Sequence, residues 1–564
     1  MKNPIDEAKQ ILSGLVAEAC RSAMEAGELP EAEFDPPAAE TPKDAQNGDL
    51  SSTFALGMAK ALHMAPRKIA DVVRARMDLN DSVFDRVWVA GAGFINVTFG
   101  PRWYGEVLSE IQRAGMTFGS VDVGQGKKIM VEFVSANPTG PMHLGNARGG
   151  VLGDTLASVY ERAGYHVWRE FYVNDAGNQV ALFGESLYVR LQQLVLGEDV
   201  VEFPEEGYHG ADIKALAAEF AGDHAKDLLS RPKDEVVKEL VAFGLEKNIA
   251  KMQADLARYQ VKYDMWFRES TLHDSGAVKE TLDILDKAGA LYEKDGATWF
   301  RATDYGCEKD EVMVKQNGFY TYYAVDIAYH RNKFITRGFD EVVDALGADH
   351  HGHMLRYRAG MSAIGVEPDR LRVMLFQLVN LMRNGEAVRM SKRTGKAITL
   401  SNLLDEISVD AARFFFNFRQ PDSHLDFDLD LAVKEENDNP VFYIQYAHAR
   451  ICSLVRMLEK EGVSVPDASD VDPSAFSTAE EKALLHCLAS FPEEIRMAAR
   501  DMDPTRLARY AVSLAAAFHT FYNACRIKGE EDRVLRARLK LADCTRATIA
   551  NVLGMMKITA PDHM

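Results

Sequence analysis

The chain has little cysteine, no long apolar run and a deficit of positive charge. Its six cysteines (Cys20, Cys307, Cys452, Cys487, Cys525 and Cys544) include no C-x-x-C pair. Neither a zinc ribbon nor a disulfide framework is indicated, and reduced thiols are expected. No apolar stretch is long enough to span a bilayer, and none carries the flanks of a signal peptide. A cytoplasmic location is therefore expected. Lys and Arg number 65 against 84 Asp and Glu, a formal net charge of −19. Coating DNA or anionic membrane without specificity takes many Lys and Arg contacts to phosphate, so that class is excluded. A local basic site is not. There is no internal repeat.

What is present is an ordinary globular composition, 47% hydrophobic and 26% charged. The length suits roughly three or four domains. Residues 1–118 read as an α+β module. Ile5, Ala8, Ile11, Leu12 and Leu15 recur near helical spacing over 1–26, and Gly27 is a natural stop. A Pro-rich polar loop covers 28–47, and 51–77 reads as helix broken near Pro66. Residues 87–97 read as strand, turn and strand around Gly91 and Gly93. A linker is expected at 119–128.

Strand and helix then alternate: strand at 128–134, helix at 144–163, strand at 167–173, helix at 176–196. That order is the mark of a parallel, doubly wound sheet. Polar helices, 234–263 the longest, and a hairpin at Lys294-Asp295-Gly296 interrupt it over 198–300. Alternation resumes through 320–379. From 401 onward no strand is predicted; 434–461, 478–500, 504–527 and 532–553 read as four amphipathic helices of a bundle. The expected fold is multidomain: a Rossmann-type α/β domain with an insertion at 119–435, after the α+β module and before an all-α bundle at 436–564.

Three segments carry chemistry. The first is Pro141-Met142-His143-Leu144-Gly145-Asn146, after a strand and opening a helix. A helix N-terminus offers free N–H groups and partial positive charge to phosphate. Gly145 lets a nucleotide approach the backbone, and His143 and Asn146 supply donors. The plainer alternative is a helix start with a satisfied histidine. The second is 384–395, a Gly-flanked polar loop holding Arg389, Met390, Lys392 and Arg393. Such cations can stabilise charge that builds on leaving phosphates; the alternative is a solvated basic loop. The third is Gly347-Ala348-Asp349-His350-His351-Gly352-His353 at a strand end. A metal cluster is one reading. Adenosine recognition is the other, with Asp349 accepting from ribose hydroxyls and Gly352 and His353 beside the nucleotide.

The first segment resembles the HIGH signature of class I aminoacyl-tRNA synthetases, with Asn146 where His is usual. The second resembles their KMSKS loop, with Arg389 and Lys392 at its basic positions and Arg393 where Ser is usual. From end to end the chain resembles arginyl-tRNA synthetase. The resemblance is carried by 131–138 (VEFVSANP), 322–328 (YYAVDIA), Asp410-Ala411-Ala412-Arg413 beside the family's DALR signature, and 439–450 (NPVFYIQYAHAR). The ending at 560–564 resembles the family's C-terminus, so a complete chain is expected.

The resemblance implies an enzyme that activates arginine with ATP and Mg²⁺ and passes it to the 2′-hydroxyl of the terminal adenosine of tRNA. It also implies that tRNA binds before activation. Its catalytic residues would be His143, Asn146, Arg389 and Lys392. The ATP site would hold His143, Gly145, Asn146, Asp349, Gly352, His353, Met390 and Lys392.

A guanidinium has five donors and no acceptor, so its pocket calls for carboxylates. The family assigns Glu132, Asn137, Tyr322, Asp326 and His350 to arginine; structural ion pairs are the alternative for Glu132 and Asp326. For tRNA it points to Asn96 in an elbow-binding N-terminal module, and to Tyr443, Tyr446, Arg450, Tyr522, Arg526 and Met564 in an anticodon-binding bundle. Aromatic faces and guanidinium planes stack on splayed bases. At helical spacing the same aromatics equally suit a core. The run Arg533, Arg536, Arg538 and Lys540 fits either a solvated face or a phosphate track. No protein-bound metal, structural zinc, DNA or membrane partner is expected, and a monomer is. Two other readings stay open: a class I synthetase for another amino acid, and a catalytically silent RNA-binding paralogue. A small nucleotidyltransferase is more distant, because it has no need of the long helical C-terminal part.

Overall fold

The structure is a computed structural model that describes all residues except 1–2, 199, 349–351, 353 and 389–397. Its centre is a parallel five-stranded sheet. Its strands are β1 (Lys128–Glu132), β2 (His166–Val173), β3 (Met265–Arg268), β4 (Glu341–Gly347) and β5 (Leu371–Phe376). They lie in the order β5-β4-β1-β2-β3. From β1 the chain winds one way to β2 and β3, then returns to add β4 and β5 on the other side. The crevice between the carboxyl ends of β1 and β4 is the switch point at which open α/β sheets take their ligands. β1 is apolar from Ile129 to Val131 and buried there, as a central parallel strand must be.

The N-terminal module pairs an antiparallel sheet with helices Pro4–Glu25, Pro66–Arg76 and Pro101–Ala114, each with proline in its first turn, where a missing N–H costs nothing. The last of them packs against the C-terminal helix Asp532–Met555, so the first and last parts of the chain share one core. Gln112 bonds Asp467 at 2.6 Å and Arg496 bonds Asp6 at 2.5 Å across that contact.

Several expectations are corrected. Helix does not begin at 51: Leu50–Ser52 is a strand paired with 95–97. The interruption at 198–300 contains β3, whose four residues are too short to register as an alternating strand but complete the sheet beside β2. A strand also follows 401: Leu425–Asp428 pairs in parallel with Val379–Arg383, and its outward aspartates disguise it. The stretch 478–500 is two helices, Ala479–Ala489 and Phe491–Asp501, the second starting at Phe491-Pro492 because proline there forfeits no helical bond. The helix expected from 434 begins at Pro440 for the same reason. Residues 119–128 are strapped down, with Val121, Gly124 and Gly126 donating to the backbone of 162–164.

Candidate active site and RNA-facing surface

β1 ends at Glu132, and the chain then turns sharply. Val134 and Ser135 sit at φ +72° and +43°. A β-branched residue there is strained, and such strain persists only when neighbours over-determine it. They do: the Ser135 hydroxyl donates to Glu132 at 2.8 Å, the Tyr172 N–H donates to Ser135 at 3.2 Å, and the Tyr263 hydroxyl donates to the Phe133 carbonyl at 3.1 Å. The turn leaves Asn137 exposed in the loop leading to the first motif.

His143 caps the helix Leu144–Arg162. The Asn146 amide oxygen accepts the His143 backbone N–H at 3.1 Å. The oxygen is thereby spent on the cap, which leaves the amide N–H groups for a ligand. Gly145 lies under the His143 ring, where a Cβ would stand 3.4 Å from its Nδ1, at the edge of ordinary contact. His143 is exposed as a residue, yet partial enclosure of the imidazole lowers it below the ordinary histidine range, which favours its neutral form. Thr399 forms an antiparallel bridge with His143, and the Leu400 N–H donates to the Met142 carbonyl at 2.9 Å. The backbone that follows the second motif is thus stitched to the start of the first. Of the remaining residues expected at the nucleotide, Gly352 is exposed, while Asp349, His353, Arg389, Met390 and Lys392 lie outside the described residues, as do His350 and Arg393.

The helix Tyr322–Arg331 carries the expected amino-acid ligands one turn apart. Tyr322 is 57% exposed. Asp326 is half-buried, and no hydrogen bond or ion pair from a described residue reaches its carboxylate. Burial raises Asp326 to about 7, aided by the carboxylates of Glu269 and Glu132 and opposed by His330 and Arg356. Glu132 differs. Its Oε2 receives the Lys333 ammonium at 2.5 Å and its Oε1 the Ser135 hydroxyl. The structural ion pair left open from the sequence is therefore present at Glu132, and no described residue supplies one to Asp326.

Sequence reasoning missed the groups beneath this pocket. Lys333, fully buried, bridges Glu132 and Asp344, the latter at 2.9 Å. His330 Nε2 lies 2.8 Å from Asp344. On the far side Glu269, just past β3, accepts the Tyr172 hydroxyl at 2.9 Å. Lys333 sits in a polar stretch, His330-Arg331-Asn332-Lys333, and nothing local in the sequence marks it as buried.

On the bundle, the Arg450 guanidinium lies between Tyr446 and Tyr522, 4.9 Å from each ring centre. The Tyr443 and His519 rings meet at 4.6 Å, tilted by 44°. These expected RNA contacts form one half-buried cluster, and Arg526 and Met564 are exposed. Asn96 is different: it is 1% exposed, accepts the Ser51 hydroxyl at 2.7 Å and keeps an unpartnered amide nitrogen. As it stands, Asn96 is an interior residue of the N-terminal sheet. The basic run is not a free phosphate track, because Arg533, Arg536 and Arg538 pair with Asp472, Asp470 and Glu481, and Lys540 is buried. His448, Cys452 and Asp562 come close enough to share an ion. Hydrogen bonds that fasten the C-terminal tail already engage them, His448 to the Pro561 carbonyl and Cys452 to Asp562.

Comparison with known proteins agrees with this geometry. Residues 9–99 match the arginyl tRNA synthetase N terminal domain, 108–434 the catalytic domain of tRNA synthetases class I (R), and 444–564 the DALR anticodon binding domain. An arginine–tRNA ligase of Acetivibrio thermocellus is 51% identical over 564 residues, covering 100% of both chains. One of Caldanaerobacter subterraneus is 49% identical with the same coverage. The solved arginyl-tRNA synthetase of Thermus thermophilus superposes with a TM-score of 0.73 at 21% identity, over 99% of this chain and 100% of that one, a likeness of fold. The chain belongs to the arginyl-tRNA synthetase family, class I enzymes that ligate arginine to tRNA.

Proposed function

We propose that Asp326 is the carboxylate that takes the arginine guanidinium, with the Tyr322 hydroxyl beside it and Asn137 holding the α-amino group. The observation that carries this reading is the state of Asp326: half-buried, near the switch point, with no hydrogen bond or ion pair from a described residue. A carboxylate so placed gains most from a cation brought to it. ATP, accompanied by Mg²⁺, lies over the His143 helix, with Gly145, Asn146 and Gly352 lining its site. Asp349, His353, Met390, Lys392 and Arg389 complete that site, and His350 completes the arginine site. The arginine carboxylate attacks the α-phosphorus, the bond to pyrophosphate breaks, and the adenylate forms. The 2′-hydroxyl of the terminal adenosine then attacks the acyl carbon and AMP leaves.

Residues 1–118 bind the tRNA elbow and 436–564 the anticodon, through the Arg450 cluster with Arg526 and Met564. The enzyme acts as a cytoplasmic monomer; no helix among the described residues is long and apolar enough to cross a membrane. Citrulline, the uncharged isostere of arginine, tests the pocket. In arginine-dependent ATP–pyrophosphate exchange with tRNA present it should not inhibit at pH 8, even at about 100 times the arginine KM. Inhibition equal to that by a guanidinium compound would contradict the assignment.

A further inference from the structure

The helix Lys233–Arg258 buries one stripe of residues, Val236, Leu240, Gly244, Asn248, Met252 and Leu256, spaced by four. Asn248 is its polar member. Asparagine is a poor helix former and costs solvation when buried, so it persists there only with a partner. The partner is the Pro138 carbonyl, which accepts the Asn248 amide N–H at 2.8 Å. Asn248 is 8% exposed and Pro138 is buried, whereas Asn137, one residue earlier, is exposed. From outside the loop, this is the one hydrogen bond that a described residue makes to 136–141. The first half of the helix, with Val236 and Leu240, joins a core of the insertion's own that contains Phe183, Leu187 and Ile213. The second half, with Ile249, Met252 and Leu256, joins the main core with Val131 and Phe133. Asn248 stands where the helix passes from one core to the other. Beyond it Arg258 fixes the helix end, donating to the Leu404 carbonyl at 2.5 Å and pairing with Asp405 at 2.8 Å.

We propose that Asn248 is a positioning residue for arginine: it fixes the loop that carries Asn137 and so sets where the α-amino group is held. The two ends of the loop are fastened by other groups. The Tyr263 hydroxyl holds the Phe133 carbonyl at the start, and the Leu400 N–H holds the Met142 carbonyl at the end. Between these anchors, Asn248 grips the carbonyl of the residue that follows Asn137. Without that grip the exposed Asn137 side chain rides on a loop held only at its ends, and a ligand group displaced by a fraction of an ångström loses most of its contact. The signature helix starts beyond the second anchor, at Leu144, so ATP binding does not depend on Asn248. This inference rests on Asn137 holding the α-amino group.

The test measures ATP–pyrophosphate exchange with tRNA saturating, and adds δ-guanidinovalerate, which is arginine without its α-amino group, as an inhibitor. Asn248→Leu keeps the volume of the side chain and removes the donor. Its arginine KM should rise about tenfold, the scale of one lost hydrogen bond. The ATP KM and the inhibition constant of δ-guanidinovalerate should stay within about twofold of the parent, since neither depends on the α-amino group. Asn137→Ala combined with Asn248→Leu should be no worse than Asn137→Ala alone, because both act on one contact. An unchanged arginine KM in Asn248→Leu overturns the proposal. So does an inhibition constant for δ-guanidinovalerate that rises as much as the arginine KM, because the damage would then be spread over the whole pocket. If Asn248→Leu does not fold, Asn248→Asp has the same shape with an acceptor in place of the donor, and the same outcomes apply. Asn137→Ala, measured alongside, separates the two readings. An unchanged arginine KM there removes the assignment of the α-amino group to Asn137, whereas a raised KM there with a parental KM in Asn248→Leu removes only the role of Asn248.

Discussion

Thr399 is bridged to His143, so the segment that follows the second signature motif in sequence lies against the residue that caps the helix of the first. A short backbone contact thus brings a segment far on in the sequence back to the first motif. Asn146 serves that arrangement by capping the same helix from within. Asn146→Ala removes both the cap and a donor. Loss of a cap costs about 1 kcal/mol. The activation rate should fall about tenfold, the equivalent of 1.4 kcal/mol, with arginine KM unchanged. Steady-state ATP–pyrophosphate exchange checks this; a parental rate would leave Asn146 with no part in the chemistry.

Asp326 gives the site a pH dependence of defined sign. Its carboxyl is raised to about 7 by burial first, and only its ionised form attracts a guanidinium. Arginine affinity should therefore climb nearly tenfold per pH unit well below 7 and flatten above it. Calorimetric titration from pH 5.5 to 8.5 measures this, and a flat profile would exclude Asp326 as the ligand.

The same shift bears on stability. A carboxyl raised on folding contributes stability that is full below its unfolded value and lost as pH rises through its folded value. For Asp326 that window runs from the ordinary carboxylate range up to about 7. Asp326→Asn abolishes the loss, so the variant should melt a few degrees above the parent at pH 8, with the gap narrowing toward pH 5. A lower Tm than the parent at pH 8 would mean that Asp326 is a structural partner.

Arg413, in the DALR-like segment, is a structural residue by the same kind of reasoning. It is fully buried, pairs with Asp154 of the His143 helix at 2.6 Å, and donates to the carbonyls of Met556 and Tyr259. It fastens the end of the bundle to the catalytic helix. Arg413→Met strands those acceptors and should cost about 3 kcal/mol. Thermal melting would show it, and an unchanged Tm would refute it.

Arg450, held between two tyrosines, offers a guanidinium with no hydrogen-bond or ion-pair partner among the described residues. Arg450→Ala should raise the tRNA KM about tenfold, in line with stacking contributions of 1–3 kcal/mol per base. The KM values for ATP and arginine should not move. An unchanged tRNA KM would make the cluster part of the core.

The acidic composition that excluded non-specific polyanion binding is compatible with this placement, since the described cations of the bundle are mostly paired and Arg450 stands apart. The parallel sheet was legible because strand–helix alternation is a local signal, whereas Tyr322 and Asp326 came from the family resemblance, helix spacing adding only that they share a face. β3 and the strand Leu425–Asp428 were not, because strands of four residues acquire meaning only from their partners. The Lys333 group was hidden for a similar reason. Its four members come from β1, β4 and the segment between them, and ion pairs across a sheet leave no periodicity in sequence. Asn96 shows the reverse, a motif residue that the strand pairing buries.

The arginine KM of Asp326→Asn, measured with tRNA and ATP saturating at pH 8, tests the account at its centre. Removing the charge that faces a desolvated guanidinium should raise KM on the order of 100-fold, as for other buried charge partners. A KM equal to that of the parent would contradict the assignment of the pocket.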